Sequence, residues 1–324
     1  MSFQSRVFQL AKDADHPGEN QDACAVEPNR ATAVVADGVS SAIFSRQWAQ
    51  ILVEATLADT PNPDDPASFG VWLAGLRQAW AEQIDTSGLA WFQRAKLPTG
   101  AFSTLLWVQV SPADAEQAGA FGAYRLSGYA IGDSCLFHIR GNELVRSFPI
   151  QRAEELADNP VVLGSVDLGR DQLIQFARLD ELCYEDDLLI LTTDAVADWI
   201  LRCHESGERI DWSVFWDMSP SQWQVEIARL RQENLMRYDD ATMLLLRVAP
   251  ERAGQGGAAA TDNQDQSPAE PADTAPPSDE EDWKEKFKSA GKQAGEGIEL
   301  ASQQLRQGLR GWSEKMRKRF GKEE

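Results

Sequence analysis

The chain has 324 residues, 43% of them hydrophobic, with 11 Trp and 13 Phe, enough apolar bulk for a large buried core. A formal net charge of −20 speaks against general nucleic-acid binding, because phosphate backbones would be repelled. The charge is uneven: residues 1–250 carry 19 basic and 36 acidic side chains, residues 251–282 carry 1 and 9, and residues 283–324 carry 11 and 6.

Residues 1–22 are polar and lack the apolar stretch of a secretory signal, and no run of roughly eighteen apolar residues predicts a membrane span. Cys24, Cys135, Cys183 and Cys203 are scattered without a CxxC pair, the usage expected of a reducing cytoplasm. Residues 31–36 form a compact apolar run ending in Asp37-Gly38 and predict a buried strand followed by a turn. Ser40 and Ser41 offer N-caps for a helix whose apolar positions include Phe44, Trp48, Ile51, Leu52 and Ala55. A second helix is expected over 68–84, with Trp72, Leu73, Leu76, Ala79 and Trp80 on one face.

After Gly100 the character turns to β. Residues 102–110, 124–131, 134–139 and 143–148 read as a meander, with turns at Gly132-Asp133 and Gly141-Asn142. Residues 188–193 and 242–248 are two further apolar strands, with helical segments near 196–203 and 220–235 between them. Strands and helices are grouped rather than strictly alternating, which predicts an α+β fold built in layers. Residues 251–281, rich in Ala, Gly, Pro, Asp and Gln, cannot bury enough surface to offset their ordering entropy and read as a flexible linker, with a domain edge near Pro250. In residues 282–324, apolar side chains from Trp283 to Phe320 recur with an eleven-residue period beside Lys and Arg, the pattern of a basic amphipathic helix. Such a helix suits an anionic membrane surface or a partner protein, or folds back on the acidic domain.

Five aspartates stand where apolar runs meet turns: Asp22, Asp37, Asp133, Asp194 and Asp239. Strand ends converging at one edge would build an oxygen-rich cage suited to Mg²⁺ or Mn²⁺. No His or Cys cluster accompanies them, which disfavours zinc. Any one Asp-Gly pair taken alone reads as a turn former. Cys24 to Arg30 has the C-x5-R spacing of cysteine-dependent phosphatases, but Glu27 and Pro28 add a negative charge and delete an N–H donor inside it, so Cys24 reads as a small core residue.

The ordered set Asn20-Gln21-Asp22, Ala36-Asp37-Gly38, Ser103-Thr104, Gly132-Asp133-Ser134, Asp194 to Asp198 and Asp239-Asp240-Ala241-Thr242 resembles the motif series of type 2C metal-dependent serine/threonine protein phosphatases, over about residues 13–248. Asp15-His16 followed by Gln21-Asp22 is closer to a bacterial branch of that family. The resemblance implies a four-layer α-β-β-α sandwich with two central antiparallel sheets. It implies two Mn²⁺ or Mg²⁺ ions, with a third held more loosely, that activate a bridging water against phosphoserine or phosphothreonine on a partner protein, opposing a kinase. It assigns Asp22, Asp37 and the Gly38 carbonyl to the binuclear centre, Asp194 and Asp239 to the second ion, and Asp133 with Asp194 to the third. Asp198 matches an acidic position beside that site.

The sequence departs from the family's pattern in three places. Gly18 and Pro17 stand where an Arg usually grips phosphate, leaving His16 as a nearby candidate phosphate contact. Ala195 replaces a Gly, and Val39-Ser40-Ser41 follows the second motif. The missing Arg and Ala195 motivate an alternative, a phosphatase-like binding or regulatory module with weak or no turnover. The retained carboxylates favour the enzyme, because clustered carboxylates repel one another unless a cation holds them. The expected location is the cytoplasm, or the inner membrane surface if the C-terminal helix docks there.

Overall fold

The computed structural model describes residues 2–13, 15–113, 123–156, 160–171 and 174–249. All of them fall in the first of the two units into which the chain divides, Met1–Gly256 and Gly257–Glu324. The expected linker (251–281) and amphipathic helix (282–324) lie outside the described residues.

In chain order the elements are β1 (Ser2–Leu10), β2 (Ala23–Glu27), β3 (Thr32–Ala36), α1 (Ser45–Ala58), α2 (Pro66–Gln83), α3 (Trp91–Arg94), β4 (Phe102–Ser103), β5 (Leu105–Pro112), β6 (Ala123–Ile131), β7 (Cys135–Arg140), β8 (Glu143–Phe148), β9 (Leu163–Gly164), β10 (Ala177–Tyr184), β11 (Leu188–Thr192), α4 (Asp194–Ser206), α5 (Trp212–Asp217), α6 (Pro220–Gln232) and β12 (Ala241–Ala249). They build two main antiparallel sheets, ordered β1-β12-β11-β7-β8 and β10-β6-β5-β3-β2, with β4 and β9 as a small third pair.

Three apolar clusters hold these elements. One joins the first sheet (Phe137, Ile190, Leu245) to α4, α5 and α6 through Val196, Phe215 and Trp223. A second is drawn from both sheets, with Leu136, Leu189 and Leu244 from one and Val35, Leu106 and Leu126 from the other. The third joins the second sheet (Val34, Leu105, Trp107) to α1 and α2 through Trp48, Leu52 and Leu73. Strands buried on both faces read as continuous apolar runs, and β3, β11 and most of β12 do so because each serves two clusters.

Several sequence expectations need correction. The expected strand 102–110 breaks at Thr104, because the Thr104 N–H and Oγ1 are both taken by the backbone of Asp37; β4 pairs with β9 while β5 joins the second sheet. The expected meander is two hairpins instead. β5–β6 and β7–β8 pair, but β6 and β7 belong to different sheets, so the chain crosses between them at Gly132–Ser134. Gly132 has φ +96°, and a Cβ there would lie 2.5 Å from Thr104 Cγ2, so the crossing needs glycine. Neither Ser40 nor Ser41 caps α1. The helix starts at Ser45 behind a left-handed Phe44 with no side-chain cap, and the Ser45 hydroxyl donates to the Val39 carbonyl. Beyond the expected elements there are β1, β2, β9 and β10, with α3 and α5 as extra helices.

Candidate metal centre

Antiparallel pairing brings the five aspartates to one end of the sheets. Asp22 precedes β2 and Asp37 follows β3, and the register Ala23↔Ala36 puts both at the same end of the second sheet. Asp194 follows β11, Asp239 precedes β12 and Asp133 precedes β7. The registers Thr192↔Met243 and Thr192↔Cys135 put these three at one end of the first sheet. Thr193 Oγ1 donates to Asp22 Oδ2 at 2.9 Å, so the two ends coincide.

Asp37 is fixed through its backbone. The Asp37 N–H donates to Thr104 Oγ1 at 2.9 Å, and the Asp37 carbonyl accepts from Ser103 Oγ at 2.8 Å and from the Thr104 N–H at 2.9 Å. This accounts for the Ser103-Thr104 pair in the motif series. Gly38 forms an isolated bridge to Ser103, and a Cβ on it would lie 2.7 Å from the Gln21 carbonyl oxygen and 2.9 Å from that of Ser45. Only glycine fits so close to two backbones. Asp194 is the first residue of α4, and Ala195 sits buried in the same first turn with no left-handed φ. The methyl of Ala195 is therefore unstrained, and one motive for expecting weak turnover falls away.

Burial and mutual repulsion raise four of these acids together, Asp22, Asp37, Asp133 and Asp194. Asp22 is pushed up to about 8 by burial and by the Asp240 and Asp194 charges, against hydrogen bonds from Thr242 and Thr193. Burial, then the charges of Asp22, Asp194, Asp133 and Asp239, holds Asp37 well above the carboxylate range. Asp133 is raised to about 7 by burial and by Asp194, with Arg237 opposing. Asp194 is raised by burial and by Asp239, again opposed by Arg237. All five sequence-chosen aspartates thus act on one another.

A divalent cation suits this arrangement. The donor set is all hard oxygen, Asp22 Oδ1 is buried with no hydrogen-bond partner, and the Gly38 backbone lies where no side chain fits. Among the described residues, no three Asp, Glu, His or Cys side chains are drawn in far enough to form a closed coordination cage unaided. An ion such as Mg²⁺ keeps several waters and needs only one or two carboxylates directly, so an open arrangement of this kind is compatible with it.

His16 is placed differently. Its ring is exposed (63%), and Nδ1 lies 2.7 Å from Asp13 Oδ2; that hydrogen bond, with the Asp13 and Glu19 charges, raises its pKa. The structure gives it no contact with the five aspartates. Cys24 lies in β2, half-buried, with its thiol pushed up to about 12 by burial and by the Asp22 charge, so no nucleophilic thiolate forms there.

Four further residues belong to the site. Asp240 is buried and accepts from the Lys12 N–H at 2.7 Å and from the Gln21 N–H at 2.8 Å, clamping the loop before Asp22 onto the loop carrying Asp239. Arg231 of α6 completes the clamp, donating to the carbonyls of Asp239 and, at 3.3 Å, Lys12. Arg237 faces Asp194 and Asp198. Arg46 lines a cleft of about 410 Å³ with Asn20, Asp22 and Gln50, and donates to the Gly18 carbonyl. The adjacent acidic pair Asp239-Asp240 was the one visible sign of the clamp; nothing in the sequence set these three arginines apart.

Residues 16–238 match a family profile described as Protein phosphatase 2C. No curated protein matches the sequence. Among solved structures, the serine/threonine phosphatase PstP/Ppp of Mycobacterium tuberculosis is similar at 14% identity and a TM-score of 0.48, covering 77% of this chain and 100% of its own. The PstP catalytic domain in complex with two manganese ions is similar at 16% identity and 0.45, covering 77% and 99%. The serine/threonine phosphatase Stp1 of Staphylococcus aureus is similar at 13% identity and 0.47, covering 77% and 96%.

Proposed function

The chain belongs to the protein phosphatase 2C family, whose members are metal-dependent protein serine/threonine phosphatases, and from that premise we propose how its own residues carry the reaction. The observation that carries the proposal is the set of mutually repelling buried and half-buried aspartates at one end of the sheets, with Asp22 Oδ1 left without a partner. Asp22, Asp37, the Gly38 carbonyl, Asp194 and Asp239 would hold two Mn²⁺ or Mg²⁺ ions, with Asp133 at the edge of a further position. When bound, the ions supply positive charge to the phosphoryl oxygens and acidify a water for attack on phosphorus.

The chain's residues do the rest. Asp240 and Arg231 hold the two ligand loops in register, and Ser103 and Thr104 fix Asp37, so the carboxylates are set before substrate arrives. Arg46, whose guanidinium has no carboxylate partner among the described residues and lines the cleft beside Asp22, is the proposed contact for the substrate phosphate. His16, already engaged by Asp13, is the lesser candidate. The three apolar clusters support a four-layer α-β-β-α arrangement as the frame.

The substrate class is a phosphoserine- or phosphothreonine-bearing protein, with a kinase as the opposing activity and the cytoplasm as the working compartment. The basic amphipathic character of residues 282–324 supports docking on an anionic membrane surface or a partner. Release of phosphate from a phosphothreonine peptide, measured with Mn²⁺, with Mg²⁺ and with chelator, tests the function. Activity that survives chelation or the Asp37→Asn substitution would sink it.

A further inference from the structure

We infer that Arg237 is a resident cation of the carboxylate cluster, standing where a third divalent ion would otherwise bind, so that this centre takes two ions and not three. The inference rests on the metal-centre reading above. It starts from an asymmetry in the cluster. Arg237 Nη1 lies 3.3 Å from Asp194 Oδ2 and Nη2 lies 3.6 Å from Asp198 Oδ1. Asp198 is nearly sealed from solvent (side chain 4% exposed). Its Oδ2 accepts from Arg202 Nε at 2.8 Å, while Oδ1 has no hydrogen bond, so Arg237 is the counter-charge on that side. Asp22, Asp37 and Asp239, by contrast, have no Arg, Lys or His within ion-pair distance among the described residues.

One half of the cluster is therefore bare carboxylate and the other half already holds a guanidinium. A guanidinium keeps its charge throughout the physiological range, and its planar fork can address two carboxylates at once. A divalent ion approaching Asp133, Asp194 and Asp198 has to displace Arg237 or sit beside it against like-charge repulsion. One approaching Asp22, Asp37 and Asp239 meets no such obstacle, and because Arg237 pairs with Oδ2 of Asp194, the Oδ1 of that residue would serve the second ion. Arg237 also stands two residues before Asp239, so one short loop delivers a carboxylate to the first half and a cation to the second.

Counting bound Mn²⁺ by equilibrium dialysis of the full chain tests this without reference to turnover. Wild type should saturate at two ions, Arg237→Lys at two, and Arg237→Met at three. If Arg237→Met or the milder Arg237→Gln is unstable without metal, excess Mn²⁺ should restore folding, because the third ion takes over the lost charge. A variant that stays unfolded at saturating Mn²⁺ would count against the inference. Three ions in wild type would overturn it and leave the metal centre standing, as would an unchanged two in Arg237→Met. No bound ion in wild type would instead overturn the metal centre itself.

Discussion

Asp22 and Thr193 are 171 residues apart in the chain, yet Thr193 Oγ1 donates to Asp22 Oδ2 at 2.9 Å. One residue immediately precedes β2 of the second sheet and the other immediately follows β11 of the first, so this bond ties the acidic ends of the two sheets together. The neighbouring Asp22 Oδ1 is left without a partner. One oxygen anchors the frame, and under the proposed metal centre the other would be left for an ion.

The repulsion within the cluster gives Asp37→Asn an effect that should change sign with metal. Without divalent ions, the amide relieves the cost of keeping a carboxyl among repelling neighbours and should stabilise the fold by about 1–2 kcal/mol. With saturating Mn²⁺ it removes a ligand, so stability should fall below wild type and hydrolysis of an aryl phosphate should drop by ~10²-fold or more. Thermal melts with and without Mn²⁺ check the reversal.

Asp240→Ala should cost about 3 kcal/mol, because it strips the acceptor from the Lys12 and Gln21 N–H groups, while Asp240→Asn, which keeps one acceptor oxygen, should cost less. Urea denaturation of the two variants orders them. Equal losses would mean that the clamp is not the source of the stability.

Two glycines should respond in opposite directions. Gly38→Ala places a methyl against the backbone oxygens of Gln21 and Ser45 and should destabilise by about 1–3 kcal/mol. In α2, Gly75→Ala meets nothing within 4 Å and should stabilise by about 0.5–1 kcal/mol. Chemical denaturation reads both.

At the far end of the first sheet, His138 of β7 lies between Asp187 and Glu181 of β10, with Nε2 2.7 Å from one and Nδ1 2.8 Å from the other, and Arg140 also binds Asp187. Burial works to lower the His138 pKa, but the two acids outweigh it and raise it. Burial likewise works to raise Asp187, and the hydrogen bonds from His138, Arg140 and the Tyr184 N–H bring it down to about 2. The stability that His138 contributes should be complete below about pH 6.5 and lost as pH rises through its higher folded value. That of Asp187, about 2 kcal/mol, should be complete above about pH 4 and lost as pH falls towards 2. His138→Gln should flatten the alkaline arm of a denaturation-versus-pH curve, and an unchanged arm would place the titrating group elsewhere.

Arg46→Ala should raise KM for a phosphopeptide by about tenfold with a smaller change in kcat, and Arg46→Lys should recover part of it. Steady-state kinetics at saturating Mn²⁺ decides, and an unchanged KM would remove Arg46 from the phosphate site.

The sequence made some of this legible for identifiable reasons. Strands buried on both faces, such as residues 32–36 and 188–192, showed up as unbroken apolar runs. The aspartates showed up because each follows or precedes such a run. Strand β1 was hidden because its large residues serve opposite faces: Phe3 packs in the cluster shared by the sheets and Phe8 in the one against the helices, while Val7 is exposed, so no alternation emerges. Edge strand β10 was hidden by Arg178, Asp180 and Glu181, which pair with groups distant in sequence. The three arginines at the site were unreadable for the same reason, since their partners lie on other elements.

The pairing of β1 with β12 also bears on when the site can exist. Gln9 and Thr242 are 233 positions apart and face each other in register, and β12 is the strand that joins β1 to β11. On a translating ribosome, the first strand must wait for nearly the whole domain to emerge before it has a neighbour. A nascent chain stalled before residue 239 would therefore lack both a ligand and the strand that closes the sheet, so it should bind metal poorly and remain inert as a catalyst until synthesis of the domain is almost complete.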